Sequence, residues 1–235
     1  MSMSKAASTP IKCENLMDLN DDCLLYLLRF FDLLELMNLR GVCRRLDNLI
    51  LQSRSRFATL DFETVPRKYG AKLLEIFKFL GPEMKSLALD TGRDNLCSNL
   101  RDKSVVLDWI NEHCVNLESY DHHSIDLSDL RTFQKFRPIV KRLKALSLNY
   151  VEFDDRLGEC FKDAKLEALE IVYNENITEK FFKNVSTLKS LDLGGCSKLT
   201  SDSYIQILKK NLTLKKLSIN INSLIGSNSK TIGRK

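Results

Sequence analysis

No stretch of this 235-residue chain approaches the ~18–20 uninterrupted apolar residues that a membrane-spanning helix needs. The N-terminus, MSMSKAASTPIKCEN, lacks the apolar core of a secretory signal. The seven cysteines are odd in number and include no C-x-x-C pair, so neither a disulfide framework nor a structural zinc site is expected. Reduced thiols in the cytoplasm and/or nucleus are the expected setting. Histidine is scarce. His113, His122 and His123 lie near Cys97 and Cys114 without the spacing of a metal motif, so packing or solvated roles are expected and no cofactor. G-x-x-x-x-G-K-[ST], H-E-x-x-H and G-x-S-x-G are all missing, which argues against the chemistries those motifs carry; no catalytic residue is assigned, and the chain reads as a non-enzyme. The net charge is only +5. The basic clusters SRSRF, CRR and KTIGRK lack interleaved aromatics, so solvated surface is expected rather than nucleic-acid binding.

What the chain does have is internal repetition. KLEALEIVYNENIT, from Lys165, and TLKSLDLGGCSKLT, from Thr187, align as L-x-x-L-x-Φ-x-x-[N/C]-x-x-[I/L]-T, with Φ apolar. The matched sets are Leu166, Leu169, Ile171, Asn174, Ile177, Thr178 and Leu188, Leu191, Leu193, Cys196, Leu199, Thr200. A third copy supplies Leu214, Leu217, Ile219, Asn222 and Ile225. Weaker copies lie upstream at Leu143, Leu146, Leu148; Leu117, Tyr120; Met84, Leu87, Leu89; and Phe57, Leu60, Phe62. Starts at 57, 84, 117, 143, 166, 188 and 214 recur mostly at the 20–29-residue interval of leucine-rich repeats. L-x-x-L-x-Φ makes a short strand whose apolar residues point between coils, and the Asn or Cys after it can satisfy backbone groups of adjacent coils. Helical stretches are expected between strands, at AKLLEIFKFLG, SVVLDWINEHC, SDLRTFQKF, RLGECFKDA, EKFFKNV and DSYIQILKKN. Over residues 56–225 the chain resembles the cysteine-containing class of leucine-rich repeat proteins. That resemblance implies an α/β solenoid of about seven repeats, with a concave parallel sheet and convex helices.

Ahead of the repeats lies LNDDCLLYLLRFFDLLELMNLRGVCRRLDNLI, Leu19 to Ile50. Asn20 is placed to cap a helix over residues 21–30. Asp32 with Glu35 has the spacing of a capping box for a second helix. Val42, Cys43, Leu46, Leu49 and Ile50 continue at helical spacing. Three helices this short cannot bury all their leucines among themselves, so some must face another domain or protein. Residues 16–55 resemble an F-box. The matching positions are Leu19, Asp22, Leu24, Leu25, Leu27, Leu28, Phe31, Glu35, Leu36, Val42, Cys43, Arg44 and Leu49, with Asn20 where the family has proline and Leu46 where it has an aromatic. The resemblance implies a substrate-recognition subunit of an SCF-type (adaptor–cullin–F-box) ubiquitin ligase. The adaptor, and through it cullin, would bind at Leu19, Asn20, Leu25, Leu28, Leu36, Val42, Cys43 and Leu46, and a protein substrate would bind the repeats. The alternative is a non-catalytic repeat scaffold or inhibitor whose N-terminal helices only cap the solenoid.

Because side chains alternate along a strand, the residue between the second and third apolar positions points out of the sheet. That position reads Asp61, Ala88, Asp121, Ser147, Glu170, Asp192 and Ser218. The acidic residues among them, flanked by Asn149 and Asn220 as neutral hydrogen-bonding partners, are expected to hold a basic segment of a substrate. Residues 1–15 and the tail 226–235, GSNSKTIGRK, are expected to be disordered. The tail offers no helix to close the last coil, so a frayed final strand is also expected.

Overall fold

The computed structural model describes residues 15–62, 67–92 and 100–219. The expected disordered tail, Asn220, Asn222 and Ile225 lie outside these residues, as do residues 1–14. The chain divides into two compact units, Met1–Arg54 and Ser55–Lys235.

The first unit holds α1 (Asp21–Leu28), α2 (Leu33–Leu39) and α3 (Arg44–Ser53). Asn20 caps α1, its Oδ1 accepting from the Cys23 amide at 2.8 Å. The helix ends two residues short of the expected Phe30. The amides of Arg29, Phe30 and Phe31 turn to carbonyls three residues back, which tightens the last turn. Asp32 and Glu35 form a reciprocal capping box at the start of α2, at 2.8 and 2.7 Å. Arg45 ties α3 to the N-terminal segment, donating to the Met17 and Leu19 carbonyls at 2.7 Å each and to Asp21 Oδ1 at 2.6 Å. Leu24, Leu28, Leu33, Leu36, Leu46, Leu49 and Ile50 are buried and form the core of this unit.

The second unit is a leucine-rich-repeat-like solenoid. Its strands are β1 (Thr59–Asp61), β2 (Ser86–Asp90), β3 (Ser119–His123), β4 (Ala145–Asn149), β5 (Ala168–Val172), β6 (Ser190–Leu193) and β7 (Lys216–Ile219). Their order in the sheet is their order in the chain, and every neighbouring pair is parallel. Between them run α4 (Leu73–Leu80), α5 (Val105–His113), α6 (Leu130–Arg142) and α7 (Ser201–Lys210), with 3-10 segments at Asp155–Phe161 and Glu179–Asn184. Those two segments are 3-10 rather than α because their repeats are the shortest. A 3-10 helix rises ~2.0 Å per residue against ~1.5 Å, so fewer residues cover the same edge of the coil.

The apolar side of each strand faces these helical segments, and Leu87, Leu89, Leu146, Leu148, Leu169, Ile171, Leu191 and Leu193 are all buried. The Asn/Cys position behaves as its chemistry requires. Asn174 donates to the Val151 and Phe153 carbonyls at 3.0 and 3.1 Å and accepts from the amides of Asn176 and Ile177; the Cys196 thiol donates to the Ile171 carbonyl at 3.5 Å. The threonines ending the two best repeats, Thr178 and Thr200, cap the helical segments that follow. Coils approach so closely at Gly158 that an added Cβ would lie 2.3 Å from the Phe181 carbonyl oxygen.

β7 is the last element among the described residues, and its packing is thinner. Leu217 is 37% exposed, whereas its equivalents Leu191 and Leu169 are buried. Native-state hydrogen exchange should therefore find the Leu217 and Ile219 amides opening at least about tenfold faster than those of Leu169 and Ile171, about 1.4 kcal/mol in local opening free energy. Equal protection would show that the last coil is covered.

Candidate functional site

The outward positions of the sheet fall in register: Asp61 with Ala88, Ala88 with Asp121, Asp121 with Ser147, Ser147 with Glu170, Glu170 with Asp192 and Asp192 with Ser218. Strands stand ~4.8 Å apart, so the outward residues form one continuous ladder. All seven are half-buried, because the face is a hollow rather than a ridge. A depression of about 260 Å³ runs across β3 to β7, with Asp121, Ser147, Glu170, Asp192 and Ser218 in its floor. Lys216, at the far edge, is the only cation among its lining residues.

The carboxylates feel one another. Partial burial, and then the charges of Asp192 and Asp121, push the Glu170 carboxyl above its ordinary range. A partner bringing positive charge would relieve that repulsion; a phosphate backbone would add to it. Asp121 Oδ1 lies 3.2 Å from His123 Nε2, which is also 3.1 Å from Asn149 Nδ2. While that nitrogen accepts from Asn149, Asp121 Oδ1 is buried with no hydrogen-bond donor; a proton on His123 Nε2 would supply one. Asn149, expected to face a ligand, is instead nearly buried, its amide nitrogen also donating to Ser147 Oγ at 2.9 Å. Its amide braces the ladder from within. Asp61 sits at the β1 end, and Asn220 lies outside the described residues.

Behind the face, His122 takes an inward position that the repeat pattern normally gives to an aliphatic residue. It is fully buried, with Tyr120 Oη against Nδ1 and Thr91 Oγ1 at 3.2 Å from Nε2. Thr91 Oγ1 donates to backbone carbonyls of His123 or Ser124, so it accepts from Nε2–H, which leaves Nδ1 to accept from the tyrosine. Burial, and secondarily His123, pushes the His122 pKa down to about 3. The thiols of Cys114 and Cys160 are pushed up to about 12 by burial, and that of Cys196 to about 11. Among the described residues no group of three or more His, Cys, Asp or Glu side chains could hold a metal ion.

On the N-terminal unit the expected adaptor face divides. Leu28, Leu36 and Leu46 are buried in the unit's own core, which removes them as surface contacts: packing three short helices consumes their inward leucines first. Leu19, Leu25 and Cys43 are half-buried, while Asn20 and Val42 are exposed. Tyr26 and Phe30, absent from the expected set, are exposed as well and meet edge to face at 5.4 Å. No helix among the described residues is long and apolar enough to cross a membrane.

Sequence reading also missed His123 and the exposed pair Tyr150 and Tyr173. Extending the repeat alignment one residue past each strand would have put the two tyrosines in one column.

No family model and no curated protein matches the chain. Among solved structures, the crystal structure of the Rad7 and Elc1 complex in yeast resembles it at a TM-score of 0.44 and 17% identity, over 86% of this chain and 62% of that chain.

Proposed function

We propose that this protein is the substrate-recognition subunit of an SCF-type (adaptor–cullin–F-box) ubiquitin ligase. In this reading the N-terminal helices bind the adaptor, and through it cullin, while the sheet face holds a protein substrate with a basic segment. Cytoplasm or nucleus is the setting. Such a protein is a bridge rather than a catalyst, raising the local concentration of substrate near the ubiquitin-charged enzyme.

The observation that carries the reading is the exposed apolar surface of the helical unit. Phe30 is 72% exposed, Val42 65% and Tyr26 59%, on a unit whose own core is already filled. Tyr26 and Phe30 meet edge to face at 5.4 Å, and adjoining exposed apolar side chains mark an interaction surface. They stand within the segment whose residue pattern resembles an F-box. The hollowed sheet face, acidic on a chain of net positive charge, supports a separate partner of opposite sign.

Isothermal titration of the full chain with purified SCF adaptor tests the first half. Val42→Asp places a charge in the contact without touching the core, so circular dichroism should stay unchanged while affinity drops about tenfold or more, at ~1.4 kcal/mol per decade. Phe30→Asp should act alike. Wild-type affinity in the double variant would overturn the assignment. The competing reading, in which these helices only cap the repeats, expects no adaptor binding at all.

A further inference from the structure

Four of the turns that follow the strands contain a residue in the left-handed backbone region. After β3, β4 and β5 it is Ser124 (φ 63°), Tyr150 (φ 54°) and Tyr173 (φ 58°), and in the turn after β6 it is Gly195 (φ 71°). Glycine suits such a position; a bulky side chain is an uncommon choice there. Gly195 has a second reason, because a Cβ on it would lie 2.7 Å from Cδ1 of Tyr173. The Tyr173 ring thus lies over Gly195. Tyr150 stacks on Tyr173 with centroids 4.7 Å apart and planes 18° from parallel. That separation equals the ~4.8 Å strand spacing, so the rings are successive rungs riding on the edge of the sheet.

Core packing does not account for them. Tyr150 is 60% exposed and Tyr173 54%. The next rung, at Ser124, carries no ring. A hollow of about 570 Å³ lies beside the rings, lined by Tyr150, Tyr173, Glu152, Glu175 and Asn176 among others, and no lining residue is basic. Lys198 reaches its rim, where it bonds Asn176 Oδ1 at 3.3 Å.

Aromatic faces flanked by carboxylates select cations. A nucleobase could stack on the rings, but its phosphates would meet Glu152 and Glu175. Among cationic side chains arginine fits best: its guanidinium is flat, weakly hydrated, stacks on rings and pairs with carboxylates through a fork of donors, whereas lysine is a hydrated point charge. We propose that the Tyr150–Tyr173 stack, with Glu152 and Glu175, is a docking site for an arginine side chain within the basic segment of a protein partner. This rests on the reading of the sheet face as the substrate surface, and it makes the tyrosines the element that tells arginine from lysine.

Fluorescence polarisation with the full chain tests it, using a short fluorescein-labelled peptide of alternating arginine and glycine. Lysine and citrulline counterparts and labelled oligouridine serve as companions. Tyr150→Ala should weaken the arginine peptide by roughly fivefold to tenfold, the size of one partly desolvated cation–π contact. Tyr150→Phe should bind like wild type, the citrulline peptide should bind as weakly as the alanine variant does, and the lysine peptide should bind less tightly than the arginine one. Tyr150→Asn, whose side chain suits left-handed backbone, should melt no lower than wild type yet bind as poorly as Tyr150→Ala.

Equal binding by wild type and Tyr150→Ala overturns the proposal, as does equal binding of the citrulline peptide or no binding of the arginine peptide by wild type. Oligouridine binding that depends on Tyr150 would overturn it in favour of a nucleic-acid surface. Asp121→Lys with Glu170→Lys separates the two readings. If that variant loses the peptide while Tyr150→Ala keeps it, the sheet face stands and the tyrosine site falls. If neither variant changes binding, the sheet-face reading falls as well.

Discussion

Asp121→Lys combined with Glu170→Lys should abolish capture of a basic partner, lowering affinity by on the order of a hundredfold or more while adaptor binding is unchanged. The two residues stand on either side of Ser147 in the ladder, and both line the sheet hollow. Charge reversal removes two attractions and installs two repulsions. At half-buried sites each ion contact is screened less than on open surface, so a loss of ~1.4 kcal/mol per site is a conservative figure. Wild-type binding should also weaken as ionic strength rises from ~0.01 M to ~0.15 M, since the Debye length shrinks from ~30 to ~8 Å. Acidification should act in the same direction. Burial, and then its like-charge neighbours, hold the Glu170 carboxyl above its ordinary range, so it loses charge earlier on acidification than a solvated glutamate would. A bound cation would oppose that protonation, and binding is then strongest at neutral pH. Undiminished capture by the double variant would reduce the ladder to solvated surface.

Lowering the pH from about 7 to about 5 should cost the folded chain stability through His122. Burial holds this imidazole neutral down to about pH 3, whereas in the unfolded chain it protonates near the ordinary histidine value of about 6.5. Between these values the unfolded state carries the extra proton. The contribution to stability is therefore complete above about 6.5 and is lost as pH falls towards 3, at up to ~1.4 kcal/mol per pH unit. The interval from pH 7 to 5 lies above the range of the lowered Asp102 and Asp129, so these two do not contribute to the slope there. His122→Leu restores the aliphatic residue usual at that position and should flatten the slope in thermal melts, whatever it does to the absolute midpoint. A wild-type chain equally stable at both pH values would mean that the folded state protonates His122.

Much of this fold was legible in the sequence because one position in every coil faces one direction. The L-x-x-L-x-Φ columns gave the strands and their register, so Asp121, Ser147, Glu170 and Asp192 lie opposite one another as the alignment had them. The capping roles of Asn20, Asp32 and Glu35, and the Asn174 and Cys196 bonds between coils, were readable for a related reason: each is a local interaction within a turn or between equivalent turns.

Other features depend on what packs against what, which periodicity does not encode. Leu28, Leu36 and Val42 belong to one apolar pattern, yet three-dimensional packing buries the first two and leaves Val42 to solvent. Helical spacing at Phe181 and Phe182 could not tell α from 3-10, because the choice follows the length of edge the shortest coils must cover. For His122 the sequence left a packing or a solvated role open, and the fold decides for packing, with Tyr120 and Thr91 closing both ring nitrogens. Asn149, at an outward-leaning strand end, turned into a brace because His123 comes within its reach only after β3 and β4 pair, beside the Ser147 hydroxyl on its own strand. Repetition along the chain determined the strands, their order and the acidic column. The tertiary structure decided which apolar residues remain at the surface and which tyrosines stack, because both depend on distances between coils that come together only when the sheet forms.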